Sequence, residues 1–376
     1  MHKAFRYRCY PTRAQDAAMG DMLDTHRHLY NRALAERKAA YEQEQRTVRY
    51  DEQSGHLKEE RLTNPFLTKT NFSSCQATLR RLDRAFTAFF RRLKTGEKPG
   101  YPRFRGRGRF DSVVFPSYGD GCRLKGGRAE FQHIGTIKLK LHRPIEGTIK
   151  TMTFRREADG WYVIFSCDLG DRQPKPATGP AVGIDLGLKS FLVTSDGAQI
   201  APPQFYRKAQ ASLRRAGRRV ARRTKGSTRR RKAVRLLAKA HQHVANQRKD
   251  FHHKTALGLV QTHSLIAHED LNVRGIARTR LAKSTHDAGW AGFLTILAHK
   301  AEEADVTVIA VNPANTTQAC SDCGSLPDVR LTLADRVHSC SCGLALDRDE
   351  NAARNILQKA LGLSVQAPTL PIGDVA

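Results

Sequence analysis

No acidic residue falls between Arg207 and Lys249, a stretch that holds 17 lysines and arginines. Runs such as Arg218-Arg219, Arg222-Arg223 and Arg229-Arg230-Arg231-Lys232 cannot neutralise one another, so a polyanionic partner is called for. A basic membrane-surface helix fits poorly, because the apolar face that insertion needs is thin here. No uncharged apolar run approaches the ~20 residues of a membrane span. The N-terminus, Met-His-Lys-Ala-Phe-Arg, lacks the apolar core of a signal peptide. Eight cysteines among 376 residues make no disulfide scaffold. These absences predict a protein of the reducing cytoplasm with no membrane partner.

What is present narrows the reading. Hydrophobic residues make up 40% of the chain, enough for packed cores, which excludes a wholly disordered protein; the length suits two or three domains. The net charge of +28 is concentrated in two blocks. Residues 1–110 carry +12 and residues 207–249 carry +17, while the remainder is close to neutral. In the first block, Arg80 to Arg109 holds 11 basic residues against Asp83 and Glu97, and its tail interleaves arginine with glycine, Tyr101, Phe104 and Phe110. That mixture suits phosphate contact and base stacking, so nucleic acid is the expected partner.

Periodicity predicts an α+β, multidomain chain. Residues 2–9 read as a strand, and Thr12-Arg-Ala-Gln15 as a capping box opening a helix with Met19, Met22, Leu23, His26, Leu29 and Ala33 on one face. The polar stretch to about residue 65 reads as loop or irregular helix. Ser74 is the expected cap of a helix with Leu79, Leu82, Phe86, Phe89 and Leu93 as a core stripe. Alternation at Ile137, Leu139 and Leu141, and a hairpin of 148–156 with 161–168 about Asp159-Gly160, predict a small barrel or sheet closing near residue 170. The helical segment, about 12–95, is thus an insertion into it. Residues 171–180 read as a linker. Strands at 181–186 and 190–194, basic helices at 206–224 and 228–262, strands at 264–271 and 306–311, a helix near 286–304 and another at 348–361 follow. The tail 363–376 has no apolar period and is expected to be loose.

Three carboxylates stand out. Asp185 ends the apolar run Ala-Val-Gly-Ile-Asp, Glu269 or Asp270 ends a second, and Asp349 lies at a helix start. Alone, Asp185 reads equally well as a turn residue before Leu-Gly. Acids converging from separate strands would form a magnesium site, since Mg²⁺ takes hard oxygen ligands, and two ions can clamp a phosphodiester. Asp347-Arg-Asp-Glu350 has capping-box spacing, which gives Asp347 a structural task and frees Asp349. Alternation lets one of Glu269 and Asp270 face the site, and spacing does not choose between them. Cys320-Ser-Asp-Cys323-Gly and Cys340-Ser-Cys342-Gly have the pattern of a structural four-thiolate zinc site, although the second knuckle is one residue short and His338 is an alternative ligand. Cys9, Cys75, Cys122 and Cys167 are scattered singly and read as inert.

Taken in order, the motifs resemble the TnpB family, the OrfB-type proteins of insertion sequences related to type V CRISPR effectors. The resemblance spans nearly the whole chain: Tyr7-Arg-Cys-Tyr-Pro-Thr12, Leu82-Asp-Arg-Ala-Phe86, Pro99-Gly-Tyr-Pro-Arg-Phe104, Gly183-Ile-Asp-Leu-Gly187, Glu269-Asp-Leu-Asn-Val273, Asp287-Ala-Gly-Trp290, Thr316 to Gly324 and Asp347 to Ala353. It implies a wedge barrel with a helical recognition insertion over 1–170. It also implies a RuvC-like nuclease of RNase H fold at 181–315 and 346–362, interrupted by a zinc ribbon at 316–345. By that resemblance Asp185, Glu269 and Asp349 are the magnesium-binding catalytic acids, and Cys320, Cys323, Cys340 and Cys342 hold zinc. The implied partners are a guide RNA from the element's end and a double-stranded DNA target beside a short flanking motif, with transposition left to a separate transposase. Nucleoid association follows from that role. Arg218, Arg219, Arg222 and Arg230 are expected on phosphates, and Gln76 with Arg80 at the flanking motif, because Gln pairs with adenine in the major groove. A nuclease-derived repressor would be expected to lose one or more of these acids, all of which are present. An RNA-independent resolvase is the other alternative.

Overall fold

The computed structural model describes residues 1–170, 178–332 and 334–362. Part of the expected linker, residues 171–177, and the expected loose tail, 363–376, lie outside them. The chain divides into two compact units, at Arg172 and Gln173.

The first unit runs β1 (His2–Tyr10), α1 (Arg13–Glu44), α2 (Tyr50–Thr63), α3 (Pro65–Thr68), α4 (Phe72–Lys94), β2 (Ser112–Phe115), β3 (Cys122–Lys125), β4 (Arg128–Phe131), β5 (Gly135–Leu139), β6 (Thr148–Arg156) and β7 (Trp161–Asp168). Its strands form one antiparallel sheet in the order β2-β6-β7-β1-β5-β4-β3. The sheet curls until it nearly closes. Phe115 of β2 meets Phe131 of β4 across the interior, with ring centroids 5.1 Å apart. Period-two burial supplies the filling: Phe5, Tyr7 and Cys9 from β1, and Trp161, Val163, Phe165 and Cys167 from β7.

The capping box at Thr12 and Gln15 is present. Buried His26 joins α1 to α4 through Ser74, 2.9 Å from its Nε2. Ser74 is not the cap of α4. The helix starts at Phe72, three residues earlier than a Ser74 cap implies, and Asn71 Oδ1 accepts the Ser74 N–H at 2.9 Å. The polar stretch after α1 contains the 14-residue helix α2, which buries just Gln53 and Leu57 and so shows no apolar stripe.

The second unit runs β8 (Ala181–Asp185), β9 (Leu192–Thr194), β10 (Gln199–Ile200), α5 (Phe205–Ala221), α6 (Thr228–Thr262), β11 (Leu265–Glu269), α7 (Val273–Ile276), α8 (Ala282–Ala288), α9 (Trp290–Ala304), β12 (Thr307–Val311), β13 (Val337–Ser339), β14 (Ala345–Asp347) and α10 (Arg348–Ala360). The helix expected near 286–304 is two helices, broken at Gly289, whose φ of 68° is left-handed. Five strands form a mixed sheet, β10-β9-β8-β11-β12, with β8, β11 and β12 parallel.

That sheet is covered on both faces, which is why β8 and β11 read as continuous apolar runs. Ile184 and Ile266 pack with Phe293 and Leu297 of α9. Ala267 turns the other way, toward Ile356 of α10. The second contact is unusually close. A Cβ on Gly183 would lie 2.0 Å from the Ala353 carbonyl oxygen and 2.8 Å from the Leu357 nitrogen. The missing side chain therefore sets how near α10 comes to β8. Gly183→Val forces backbone apart rather than a flexible side chain. It should cost about 3 kcal/mol and lower the thermal midpoint by roughly 6–12 °C. A calorimetric midpoint equal to the parent's would contradict this packing.

Candidate metal centres and basic cleft

β8 and β11 are parallel neighbours, and their register sets His268 opposite Ile184. The next residues along are Glu269 and Asp185, so both carboxylates leave the same edge of the sheet. Asp349 enters from the first turn of α10, brought close by the Gly183 contact. Asp270 is exposed, and its N–H donates to the Val311 carbonyl at 2.8 Å.

Electrostatics ties the three acids together. Burial raises the Asp185 carboxyl to about 7, and the negative charges of Glu269 and Asp349 add to the rise, while Arg348 opposes it. Glu269 is also raised, chiefly by burial, against the pull of the Thr316 hydroxyl, Lys359 and His268. Arg348 Nη2 sits 3.5 Å from Asp349 Oδ1. A part-buried carboxylate whose charge is disfavoured by two neighbouring acids belongs to a donor set that a hard divalent cation stabilises, so magnesium fits here. The oxygens are less tightly gathered than the thiols described below. Among the described residues, the four cysteines are the group whose ligand atoms all lie within 4.8 Å.

The N-cap of α10 differs in part from its expected form. Asp347 Oδ1 accepts the Asp349 N–H at 2.9 Å, but Glu350 pairs with Arg354 at 2.7 Å instead of reaching back. An i,i+4 cation was a better partner for it than a single amide.

Sequence reasoning did not single out the residues that hold this site. The Thr316 hydroxyl donates to Glu269 Oε1 and is itself buried. Asn355 Nδ2 donates to the Thr316 and Ala319 carbonyls at 2.9 and 2.7 Å. Asn351 brackets the same segment, donating to Ala319 O and accepting from Ser321 N, both at 2.8 Å. Gln358 adds a bond to Ser321 O at 2.7 Å. Positions 351, 355 and 358 share one face of α10, and their amides strap residues 316–321 to it. Helical spacing of Asn, Asn and Gln beside Asp349 was the available signal.

The strap runs straight into the cysteine cluster. Cys320 and Cys342 sulfurs are 3.7 Å apart, and Cys323 and Cys340 sulfurs 3.4 Å. A tetrahedral zinc with bonds of ~2.3 Å needs sulfurs about 3.8 Å apart, so the donor set fits. The shortened second knuckle still closes its turn, through the Gly343 N–H to the Cys340 carbonyl at 3.0 Å. Ser325 lowers the Cys323 thiol, which favours the thiolate a metal binds. His338 is buried, and neither ring nitrogen has a hydrogen-bond partner. It lies outside the group of four. Cys9, Cys75, Cys122 and Cys167 are buried singly.

The C-terminal half of α5 and the residues just after it form a cleft of about 510 Å³ lined by Arg215, Arg218, Arg219, Arg222 and Arg223. Arg230 supports it from behind, with Nη1 donating to the Val220 and Arg223 carbonyls at 2.9 and 3.0 Å. Buried Asp287, also missed from sequence as a site-building residue, accepts the Tyr206 and Arg207 N–H groups at the start of α5. In the first unit, Gln76 donates to Ser54 at 3.0 Å and Arg80 lies over the Tyr50 ring. No helix among the described residues is long and apolar enough to cross a membrane.

Comparison with known proteins places this arrangement. A Streptomyces pristinaespiralis protein named "Putative RNA-guided DNA endonuclease" is 33% identical over 369 residues, covering 96% of this chain and 90% of its own. The chain belongs to the TnpB family. An Escherichia coli TnpB relative, "Putative RNA-guided DNA endonuclease InsQ", is 27% identical over 94% of this chain and 91% of its own. Residues 164–280 match the IS605 OrfB model described as "Probable transposase", and residues 290–356 match the "Cas12f1-like, TNB domain". Residues 1–46 match a model described as a helix-turn-helix domain. Here they are β1 followed by one unbroken 32-residue helix, α1. The fold of a solved Cas12f1 complex with guide RNA and target DNA aligns at a TM-score of 0.59 and 14% identity, over 95% of this chain and 98% of that one. This TnpB-family chain is thus a mixed α/β protein of Cas12f-like fold.

One consequence is measurable without substrate. The Asp185 carboxyl titrates higher folded than unfolded, so it contributes stability below its unfolded pKa near 4 that is lost as pH rises through about 7. In magnesium-free buffer at pH 8, Asp185→Asn should therefore raise the melting point by about 4–8 °C, equivalent to about 2 kcal/mol, and have little effect at pH 4. A melting point lowered at pH 8 would contradict this cost of ionising Asp185.

Proposed function

We propose that the chain is an RNA-guided, magnesium-dependent DNA endonuclease of an insertion sequence, with Asp185, Glu269 and Asp349 as its catalytic acids. The observation that carries the proposal is the meeting of acids from β8, β11 and α10, where burial, with the charges of Glu269 and Asp349 added, raises Asp185 to about 7. The five-strand order around β8 supports reading 181–315 with 346–362 as a RuvC-like nuclease of RNase H fold, interrupted by a zinc ribbon at 316–345. The nearly closed sheet and its helices over 1–170 are then the wedge barrel with its recognition insertion.

Bound magnesium, as one or two ions, supplies Lewis acidity and an activated water for phosphodiester hydrolysis. The chain's own groups prepare that site. Asp185 and Glu269 present oxygens from adjacent strand ends, and Asp349 faces them from α10. Thr316 fixes one oxygen of Glu269 by its hydroxyl. Pairing between guide and target reads sequence, which leaves the protein to hold backbones and a short flanking motif. The cleft at Arg218, Arg219 and Arg222 suits phosphates, with Arg230 at its turn; Gln76 and Arg80 are the candidates for the flanking motif. Strand transfer would fall to a separate transposase.

Two experiments test this. A plasmid carrying a guide-matched target should be cut by the parent in Mg²⁺, and Asp185→Ala should abolish cutting while RNA still co-purifies. The guided reading is falsified if no RNA accompanies the protein. Metal analysis should find one zinc per chain, held by Cys320, Cys323, Cys340 and Cys342. Removing it by chelation or Cys320→Ser should cost cleavage and thermal stability together, because the strap at 316–321 loses its anchor. Stability and cleavage unaffected by zinc loss would contradict a structural zinc.

A further inference from the structure

The apolar stripe of α4 continues past the core that covers it. Cys75, Leu79 and Leu82 are buried, as a core stripe requires. Phe86, Phe89, Phe90 and Leu93 then follow at helical spacing, but Phe90 is 51% exposed and Leu93 49%. The expectation that this whole face is core therefore fails beyond Phe86, which is the last of these residues packed against it.

The segment after α4 folds back on the stripe and builds an aromatic cluster. Tyr101 stands edge-on to Phe86 and Phe89 at 5.6 and 5.3 Å. Phe90 lies 5.2 Å from Phe89 and 6.4 Å from Phe86. Two hydrogen bonds fix this segment to α1, from Arg105 N to Asn31 Oδ1 at 2.7 Å and from Asn31 Nδ2 to Arg105 O at 2.9 Å. The rings are thus held in place while Phe90 and Tyr101 keep about half their surface open.

Charge identifies the occupant. Exposed Arg91, Lys94, Lys98 and Arg103, within a few positions of Phe90 or Tyr101 in the chain, supply a basic rim. Of the two acids in this stretch, Asp83 is engaged by Arg37 at 3.1 Å. A second copy of the chain would set one basic rim against another, and a lipid surface would need a longer apolar face. An unpaired nucleotide satisfies both parts, with its base on a ring and its phosphates on the rim.

We infer that Phe89, Phe90 and Tyr101 form a stacking platform for an unpaired base of a bound nucleic-acid strand. The inference deepens the nucleic-acid reading above and rests on it. The probe is a single-stranded oligonucleotide containing 2-aminopurine, prepared as RNA and as DNA, added to the full chain. Phe90→Ala with Tyr101→Ala should weaken binding roughly five- to hundredfold and relieve the fluorescence quenching, leaving the salt dependence unchanged. Arg91→Gln should instead flatten the salt dependence, and Phe90→Trp should keep affinity and quenching. Whichever oligonucleotide loses its quenching in the alanine variant identifies the stacked strand as RNA or DNA. The platform is overturned if the parent binds and the alanine variant binds and quenches equally well. It is also overturned if the alanine variant dissolves a parental dimer in sedimentation with RNA affinity unchanged. A parent that binds neither oligonucleotide removes the nucleic-acid reading itself, and the platform with it.

Discussion

The approach of α10 to β8 at Gly183 is the contact on which the second unit depends. Two acids reach one edge of the sheet by strand register alone, but the third arrives on a helix. How near that helix lies is decided by a backbone surface with no side chain between. The same helix has other tasks. Its first turn carries Asp349, its middle rests on Gly183, and its amide face holds the segment that runs from Thr316 to the cysteines. Acids, strap and thiolates are therefore fastened to one element. A disturbance at any of them is felt at the others through bonds that can be named.

The charge distribution has a matching logic. The basic helices hold no acid over 43 positions, from Arg207 to Lys249, and the cleft at α5 is lined by arginine alone. Beside this excess, three carboxylates are gathered at a cost: burial opposes the ionisation of Asp185 and Glu269, and the charges of Glu269 and Asp349 oppose that of Asp185 further. A cation relieves that cost. The strain is local, and Arg348, Thr316 and Lys359 reduce it without removing it. A basic protein with a small acidic centre is the expected form for a site that must hold a polyanion and place metal against it.

Much of this was legible in the sequence where the signal is local. Period-two burial at β7, the capping box at Thr12 and the Cys-x-x-Cys knuckle depend on residues a few positions apart. Asp185 and Asp349 stood out within their own segments, but the choice of Glu269 over Asp270 and the roles of all three came through resemblance to the TnpB family, since no local rule links positions so far apart. What was missed has physical causes. α2 buries two side chains, so no stripe marks it. Asn71 displaced Ser74 as a cap because the helix begins three residues earlier than a Ser74 cap would set it. Gly289 interrupts an apolar pattern that passes smoothly through 286–304. Thr316 and Asn355 look ordinary in sequence, because their partners are backbone carbonyls and a carboxylate brought near by the fold.

The central claim is that Asp185, Glu269 and Asp349 make one divalent-cation site. Anomalous scattering from crystals of the protein soaked in Mn²⁺ tests it most directly. The account predicts manganese density touching all three carboxylates, and its disappearance in Asp349→Ala crystals. Manganese bound elsewhere, or density that persists unchanged without Asp349, would contradict it.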